Sequence, residues 1–103
     1  MTKILYDLHI HSALSPCADN DMTPANIGAM SSAKRLQIIA VADHNAIANV
    51  VAAREVGEAL DVIVVPAVEL QTQEDVHILC LFETFENLQS FFDEISFKDL
   101  KNR

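Results

Sequence analysis

The residues best suited to chemistry in this sequence are its four histidines and the acidic residues that accompany them. They are, in chain order, the HxH pair His9 and His11, the adjacent Asp43 and His44, then Glu69 and His77. Imidazole nitrogens combined with carboxylate oxygens are ligands that zinc, iron and manganese accept in proteins. The pattern therefore predicts a site for divalent metal ions.

Three predicted strands end at these residues. Residues 3–10, 38–43 and 62–68 are short apolar segments that predict strands, the first of them buried on both faces. The HxH pair, His44 and Glu69 stand at or just after the carboxyl ends of these strands. Ligand-binding residues of parallel α/β sheets gather at that edge. We therefore expect three strands to bring imidazole and carboxylate groups to one rim.

His77 begins a fourth predicted strand, at residues 76–82, instead of ending one. Only about six residues separate this strand from the third, whereas a parallel crossover needs a dozen or more. The two strands are therefore predicted to form an antiparallel hairpin. In that arrangement the start of the fourth strand lies beside the end of the third, and His77 reaches the same rim as Glu69.

Helices are predicted between the strands. Thr23 and Pro24 suit the N-cap and first position of one helix, residues 46–60 predict a second with Asn45 as its cap, and Thr84 suits the cap of a third. The order is β-α-β-α-β-β-α, which indicates an α/β fold with a mostly parallel sheet. We expect one domain over residues 1–103.

Two aspartates stand beside the histidines. Side chains alternate along a strand, so Asp7 shares a face with His9 and His11, and both rings point the same way. Asp7 and Asp43 are each interpreted in two ways. Each is either a capped or solvated carboxylate, or a partner that orients a ligand histidine.

The loop after the HxH pair carries further candidates. Asp19 and Asp21 are either solvated or folded over the pair, because the loop starts beside it. Cys17 is interpreted as a small loop residue and Cys80 as a core residue. Neither cysteine belongs to a CxxC motif or a disulfide framework, which favours a cytoplasmic protein with reduced thiols.

Composition narrows the classes of function. Half of the 103 residues are apolar, which excludes a disordered chain, and this length suits a single domain. Seven basic against fifteen acidic residues give a net charge of -8, which disfavours binding to nucleic acid. No segment reaches the roughly 18 apolar residues of a membrane span. The polar residues 96–103 are expected to fray.

Four segments together resemble the PHP domain family, the polymerase and histidinol phosphatase phosphoesterases. They are DLHIHSALSP (7–16), IIAVADHN (38–45), VVPAVEL (64–70) and VHILCLF (76–82). The resemblance implies a distorted (β/α)7 barrel that holds two or three divalent ions, zinc, manganese or iron, at the carboxyl ends of its strands. The chain would form the first part of such a barrel.

The resemblance also implies the metal ligands. They would be His9 and His11 at the first ion, Glu69 as a bridging carboxylate, His44, His77 and a loop carboxylate, for which Asp19 matches best and Asp21 is the alternative. Members of the family supply a further histidine and a D-x-H pair later in the chain. No histidine follows His77, so we expect a partial or truncated PHP domain.

The activity implied by the resemblance is metal-dependent hydrolysis of a small phosphorylated substrate by a metal-bridging hydroxide. Glu69 and Asp43 are the residues that we expect to serve catalysis. Two alternatives remain. The chain could be a non-catalytic fragment that binds metal partially or assembles as a homo-oligomer through exposed strand edges. It could also be an amidohydrolase-like metal hydrolase, a class that likewise begins with HxH.

Overall fold

The computed structural model describes residues 3–15, 17–95 and 100 of the chain. In these residues, strands and helices alternate as the apolar pattern predicts, and the expected α/β class is confirmed. The elements are β1 (Tyr6–Ile10), α1 (Pro24–Ala33), β2 (Ile38–Val41), α2 (Ala48–Leu60), β3 (Ile63–Val64), β4 (Ala67–Gln71), β5 (His77–Leu81) and α3 (Phe85–Glu94).

Three of the strands form a parallel sheet in the order β1-β2-β3. The central strand β2 is almost wholly buried, as its continuous apolar sequence predicts. The expectation that β1 is buried on both faces is wrong. Tyr6 in β1 is 65% exposed, because β1 is the outer strand of this sheet and nothing in the described part of the chain covers it.

The third predicted strand, over 62–68, is divided into two strands at Pro66. β3 continues the parallel sheet beside β2, whereas β4 pairs antiparallel with β5, with Glu69 opposite Leu79. Proline has no N–H to donate to a ladder, so the strand changes partner where Pro66 stands. The predicted hairpin is confirmed as the β4–β5 pair.

The end of β4 remains attached to the end of β2. The N–H of Glu69 donates to the carbonyl of Asp43 over 3.0 Å, and the N–H of Asn45 donates to the carbonyl of Glu69 over 2.9 Å. On the other side, the N–H of Ala42 donates to the carbonyl of Ile10 over 2.7 Å. These hydrogen bonds hold the carboxyl ends of β1, β2 and β4 at one rim.

The helix caps are partly as predicted. Thr23 and Thr84 cap α1 and α3 through their hydroxyl groups. The prediction that Asn45 caps α2 is wrong, because the helix begins only at Ala48. Asn45 instead adopts a left-handed backbone with φ of 52° and exchanges two hydrogen bonds with the backbone of Gln71.

Two apolar clusters support this rim from below. One packs α1 and α2 against the parallel sheet and contains Ile27, Ile39, Val41, Ala53 and Val62. The other packs the β4–β5 hairpin against α3 and contains Ile47, Val50, Val68, Leu70, Leu88 and Leu100. Within the described residues, every helix is too short or too polar to span a bilayer.

The tail predicted to fray, residues 96–103, lies outside the described residues except for Leu100. That residue is 7% exposed and pairs with Thr72 in an isolated antiparallel bridge. At this one position the chain is packed against the second apolar cluster, contrary to the expectation of fraying.

Candidate metal centre

The HxH pair reaches the rim from the end of β1. The Nε2 atom of His9 lies 2.8 Å from Oε1 of Glu69, and the Nε2 atom of His11 lies 3.2 Å from the same oxygen. Alternation along the strand explains why both rings point to one face, as predicted. Glu69 itself is only 6% exposed, so its carboxylate is the buried centre of this group.

Two further histidines complete the group. The Nε2 atom of His44 lies 3.7 Å from Oε1 of Glu69, and the Nδ1 atom of His77 lies 3.2 Å from Oε2. The hairpin delivers His77, as expected, because its position in β5 pairs with Gln71 at the end of β4. Four imidazole rings, two from the end of β1, one from the segment after β2 and one from the start of β5, therefore surround one carboxylate.

The pKa shifts of His11 and Glu69 favour the protonation states in which these side chains bind metal ions. Burial, followed by the neighbouring His44, lowers the pKa of His11 from its ordinary 6.5, although the charge of Glu69 opposes this shift. Burial alone would raise the pKa of the Glu69 carboxyl, but the hydrogen bond with His9 and the charge of His44 lower it below 4.5. A neutral imidazole and an ionised carboxylate are the states in which these side chains coordinate cations.

The donor geometry fits divalent ions. The ligand atoms of His9, His11 and Glu69 all lie within 4.8 Å of one another, and so do those of His44, Glu69 and His77. Both sets include Glu69, so its carboxylate is placed to be shared. In addition, the Nδ1 atom of His44 is buried without a hydrogen-bond partner among the described residues, which costs free energy unless another group binds it.

The loop carboxylates are placed less favourably than expected. Asp19 and Asp21 are both exposed, and among the described residues neither belongs to a group with metal-ligand spacing. Cys17 does belong to such a group, with ligand atoms within 4.8 Å of those of His11 and His44. The interpretation of Cys17 as a small loop residue is therefore incomplete, and its position in the loop beside the HxH pair was the available signal in the sequence.

The two aspartates with open interpretations differ in the structure. Asp7 is exposed and its Oδ1 accepts the backbone N–H of His9 over 3.1 Å, so it caps the local backbone. Asp43 is 1% exposed, and its carboxylate is bonded to Ser12 and Ser15 and not to the imidazole cluster. The expectation that Asp43 serves catalysis directly does not match this placement, since its oxygens face the protein interior.

A further carboxylate contacts the cluster from the β4–β5 turn. Oδ1 of Asp75 lies 3.3 Å from Nε2 of His77, whose other ring nitrogen faces Glu69. A carboxylate on the outer nitrogen orients a ligand imidazole and increases its basicity. The sequence gives no sign that Asp75 contacts His77, because this contact depends on the geometry of the turn, in which Asp75 has a φ of 68°.

A cavity of about 440 Å³ opens beside the imidazole cluster, between β1 and α1. Its polar lining includes His9, His11, Cys17, Asp19 and Lys34. Apolar side chains of α1 and the end of β1 complete its wall. The cavity is large enough for a small metabolite, and the imidazole cluster lies at one side of it.

Two solved structures are similar to this chain. One is a candidate metal-dependent phosphoesterase from Bifidobacterium adolescentis, with 25% identity and a TM-score of 0.65 over 89% of this chain and 33% of that chain. The other is an amidohydrolase from Chromobacterium violaceum with bound sulfate and no metal, with 22% identity and a TM-score of 0.64 over 87% of this chain and 32% of that chain.

The chain thus has a metal-dependent hydrolase-like fold and spans about a third of the length of these two structures. No family model matches the chain, and no curated protein matches it. The His and Glu groups at the rim are compatible with divalent metal binding.

Proposed function

We propose that this chain is the metal-binding first part of a PHP-type barrel of the distorted (β/α)7 kind, acting as a phosphoesterase on a small phosphorylated substrate. The observation that carries the proposal is the convergence of four imidazole rings on the buried carboxylate of Glu69. The 25% identity to a candidate metal-dependent phosphoesterase supports the reaction class.

Two sets of residues at the rim would each hold one divalent ion. His9, His11 and Glu69 would hold one divalent ion, and His44, Glu69 and His77 a second. Bound ions supply Lewis acidity for a phosphoryl oxygen and activate water at neutral pH. Glu69 holds a negative charge between the two ligand sets, and the neutral rings add no charge that would repel the ions.

The cavity supports the proposed class of substrate. Lys34 is the one lysine or arginine among the described residues that line it, and it offers a cationic contact for an anionic group beside the carboxylates of Asp7 and Asp19 in the same lining. The volume of about 440 Å³ suits a metabolite and not a polymer. The net charge of -8 agrees with this choice, since it disfavours a polyanion such as nucleic acid. A cytoplasmic location is part of the proposal, because the free thiol of Cys17 is exposed.

The direct test measures metal content and turnover in the same preparation. We expect the purified chain to hold divalent metal at one or more ions per chain, and to hydrolyse 4-nitrophenyl phosphate when manganese is added. His9→Ala should abolish the turnover, whereas Ser90→Ala, on the exposed side of α3, should leave it unchanged. A wild-type chain that binds no divalent metal under these conditions would overturn the proposal.

A second candidate is a metal-binding chain without turnover, which acts only when an assembly completes the site. The observation in its favour is that the chain spans about a third of the similar structures. Stoichiometric metal without hydrolysis of the aryl phosphate would favour this candidate. The similar amidohydrolase also leaves C–N bond hydrolysis as a reaction to assay, with an N-acyl amino acid offered beside the phosphate ester.

A further inference from the structure

A buried polar network lies directly beneath the imidazole cluster. Its centre is the carboxylate of Asp43, which is 1% exposed, and both of its serine partners are at most 2% exposed. Oδ1 of Asp43 accepts the backbone N–H of Ser12 over 2.6 Å and the hydroxyl of Ser15 over 2.7 Å. Oδ2 accepts the hydroxyl of Ser12. The carboxylate is therefore held from both oxygens.

The hydroxyl of Ser12 has no freedom to turn away from Asp43. It accepts the side-chain amide of Asn49 over 3.0 Å and the backbone N–H of Leu14 over 3.2 Å. A hydroxyl has one proton and two lone pairs, so these two donors leave its own proton for the carboxylate. Asp43 thus acts only as an acceptor on this side.

The same count of protons and lone pairs shows how the hydroxyl of Ser15 bonds to His11 in the candidate metal centre. Its proton goes to Asp43, and the backbone N–H of His44 donates to its oxygen over 3.1 Å. One lone pair remains, and Nδ1 of His11 lies 3.2 Å from the oxygen. Since the hydroxyl has no second proton to offer, Nδ1 must be the donor of this hydrogen bond.

We propose that Ser15, held by Asp43, is a positioning residue that fixes the imidazole of His11 in the Nδ1-protonated tautomer. The neutral ring then has its lone pair on Nε2, the atom that lies 3.2 Å from Oε1 of Glu69. The value of this tautomer for metal binding rests on the proposed function, but the tautomer itself does not.

The alternative arrangement is less favourable for a physical reason. If the hydroxyl of Ser15 turned its proton toward His11, Oδ1 of Asp43 would lose a hydrogen bond in a site that water does not reach. Losing a hydrogen bond to a buried charged group costs free energy, although the N–H of Ser12 still donates to this oxygen. The rigid part of the network therefore favours Nδ1 as the protonated nitrogen of His11, against the attraction of the Glu69 oxygen that lies 3.2 Å from Nε2.

The first experiment reads the tautomer in the metal-free wild-type chain. Long-range ¹H–¹⁵N correlation spectra at about pH 8, above the ordinary histidine pKa, distinguish a protonated ring nitrogen from an unprotonated one. We expect the Nδ1-protonated pattern for His11. A His11 ring protonated on Nε2 would overturn the proposal without any variant, whether or not the chain binds metal.

The second experiment removes the hydroxyl. In Ser15→Ala the ring of His11 should become a mixture of tautomers, and zinc affinity measured by chelator competition should fall about 10–100-fold, the usual effect of losing an orienting partner. Ser15→Thr restores a hydroxyl and should recover the tautomer and most of the affinity. Ser31→Ala is the matched control, because Ser31 is also a buried serine, and its hydroxyl donates to the carbonyl of Ile27 within α1 and to none of the imidazole rings that the structure describes.

The two proposals fail in different ways. If the wild-type chain binds zinc and Ser15→Ala keeps both the tautomer and the affinity, the role of Ser15 is wrong and the proposed function stands. If the wild-type chain shows the expected tautomer but binds no metal, the proposed function is wrong and the hydrogen-bonding role of Ser15 stands. Equal losses in Ser15→Ala and Ser31→Ala would indicate a merely structural role and overturn the proposal.

Discussion

At the scale of single residues, one oxygen of the buried Glu69 carboxylate faces three imidazole nitrogens. Its Oε1 faces the Nε2 atoms of His9, His11 and His44 at 2.8, 3.2 and 3.7 Å. One carboxylate oxygen offers about two lone-pair sites. Nε2 of His11 brings a lone pair in the tautomer inferred above, and Nε2 of His44 lies beyond hydrogen-bond distance, so a cation shared by these atoms would account for the arrangement better than hydrogen bonds alone.

Glu69→Gln tests this arrangement directly. The substitution keeps the size of the side chain but removes the negative charge that balances a divalent ion. We expect zinc affinity to fall by at least about 100-fold, beyond the usual effect of losing an outer partner. Glu58→Gln, on the exposed side of α2, is the matched control and should bind like the wild type. Equal affinity for Glu69→Gln and the wild type would contradict the central role of this carboxylate.

The same residues predict how stability responds to acid in the metal-free chain. The pKa of His11 is lowered from 6.5, chiefly by burial, so its stabilising contribution is complete above pH 6.5 and lost as the pH falls through the folded value. The pKa of Glu69 is lowered from 4.5, since the hydrogen bond with His9 and the other imidazoles outweigh burial. Its contribution is likewise present above pH 4.5 and lost below.

The lowered pKa values of His11 and Glu69 both make the folded state less stable in acid. The free energy of unfolding should therefore fall as the pH drops below 6.5. Urea unfolding with a chelator present, repeated across that range, measures the effect. In His11→Asn the slope between pH 6.5 and pH 4.5 should be smaller, because the lowered pKa of His11 no longer contributes to it. A wild-type stability that rises on acidification would show that the signs are wrong.

At the scale of elements, the sequence predicts the parts of the site that depend on local pattern. Alternation along β1 and the short connection before β5 predict that His9, His11, Glu69 and His77 meet at one rim, and they do. Pro66 indicates that the third strand ends or lies at an edge, but the change of partner there was not predicted, because an apolar segment of seven residues does not show which neighbour each half pairs with.

The sequence also does not predict the hydrogen bonds of Ser12 and Ser15 with Asp43. Ser12 and Asp43 are 31 residues apart, and only the folded arrangement of the loop after β1 makes them neighbours. Ser12 and Ser15 look like ordinary loop serines in the sequence. Asn45 was assigned to a helix cap because its residue type suits one, yet its side chain bonds across to β4. Tertiary partners override local preference in both cases.

Asn45 ties the loop that carries His44 to the end of β4. Its Nδ2 donates to the carbonyl of Gln71 over 2.9 Å, and its Oδ1 accepts the N–H of Gln71 over 2.8 Å. In Asn45→Ala both bonds are lost, and a left-handed backbone is imposed on alanine, so we expect a loss of about 3 kcal/mol. Asn45→Gly relieves the backbone strain and should lose about 2 kcal/mol.

Urea unfolding of the metal-free variants separates these two contributions. Asn87→Ala, an exposed position in α3, serves as the control and should change stability by less than about 0.5 kcal/mol. If the alanine and glycine variants at position 45 were equally stable, backbone strain would not contribute. If neither lost more than the control, the link between Asn45 and Gln71 would not stabilise the rim.

At the scale of the whole molecule, exposed apolar side chains concentrate on two outer strands. Of the ten large apolar residues exposed in the described part of the chain, seven lie in or directly before β1 and β5: Ile4, Leu5, Tyr6, Val76, Ile78, Leu79 and Leu81. β1 ends the parallel sheet and β5 ends the hairpin, so both also present unpaired backbone groups. Exposed apolar edges of this kind favour pairing with another chain.

We therefore expect the chain to self-associate through these edges. Leu81 is 43% exposed and pairs with Ala67, two residues from Glu69 along β4, so a substitution there disturbs the edge and spares the imidazole cluster. Sedimentation velocity over a range of concentrations should show a reversible increase in mass for the wild type. Leu81→Lys should shift the population toward monomer, because a charge on an edge strand opposes pairing.

Leu60→Lys is the matched control for this experiment, because Leu60 is 39% exposed but belongs to the end of α2 and to neither outer strand. It should associate like the wild type. Equal dissociation of both variants would mean that net charge, and not the strand edge, governs assembly. A wild-type chain that remains monomeric at all concentrations would contradict the prediction. If the wild type associates, zinc affinity measured on the Leu81→Lys monomer shows whether one chain alone holds the ion.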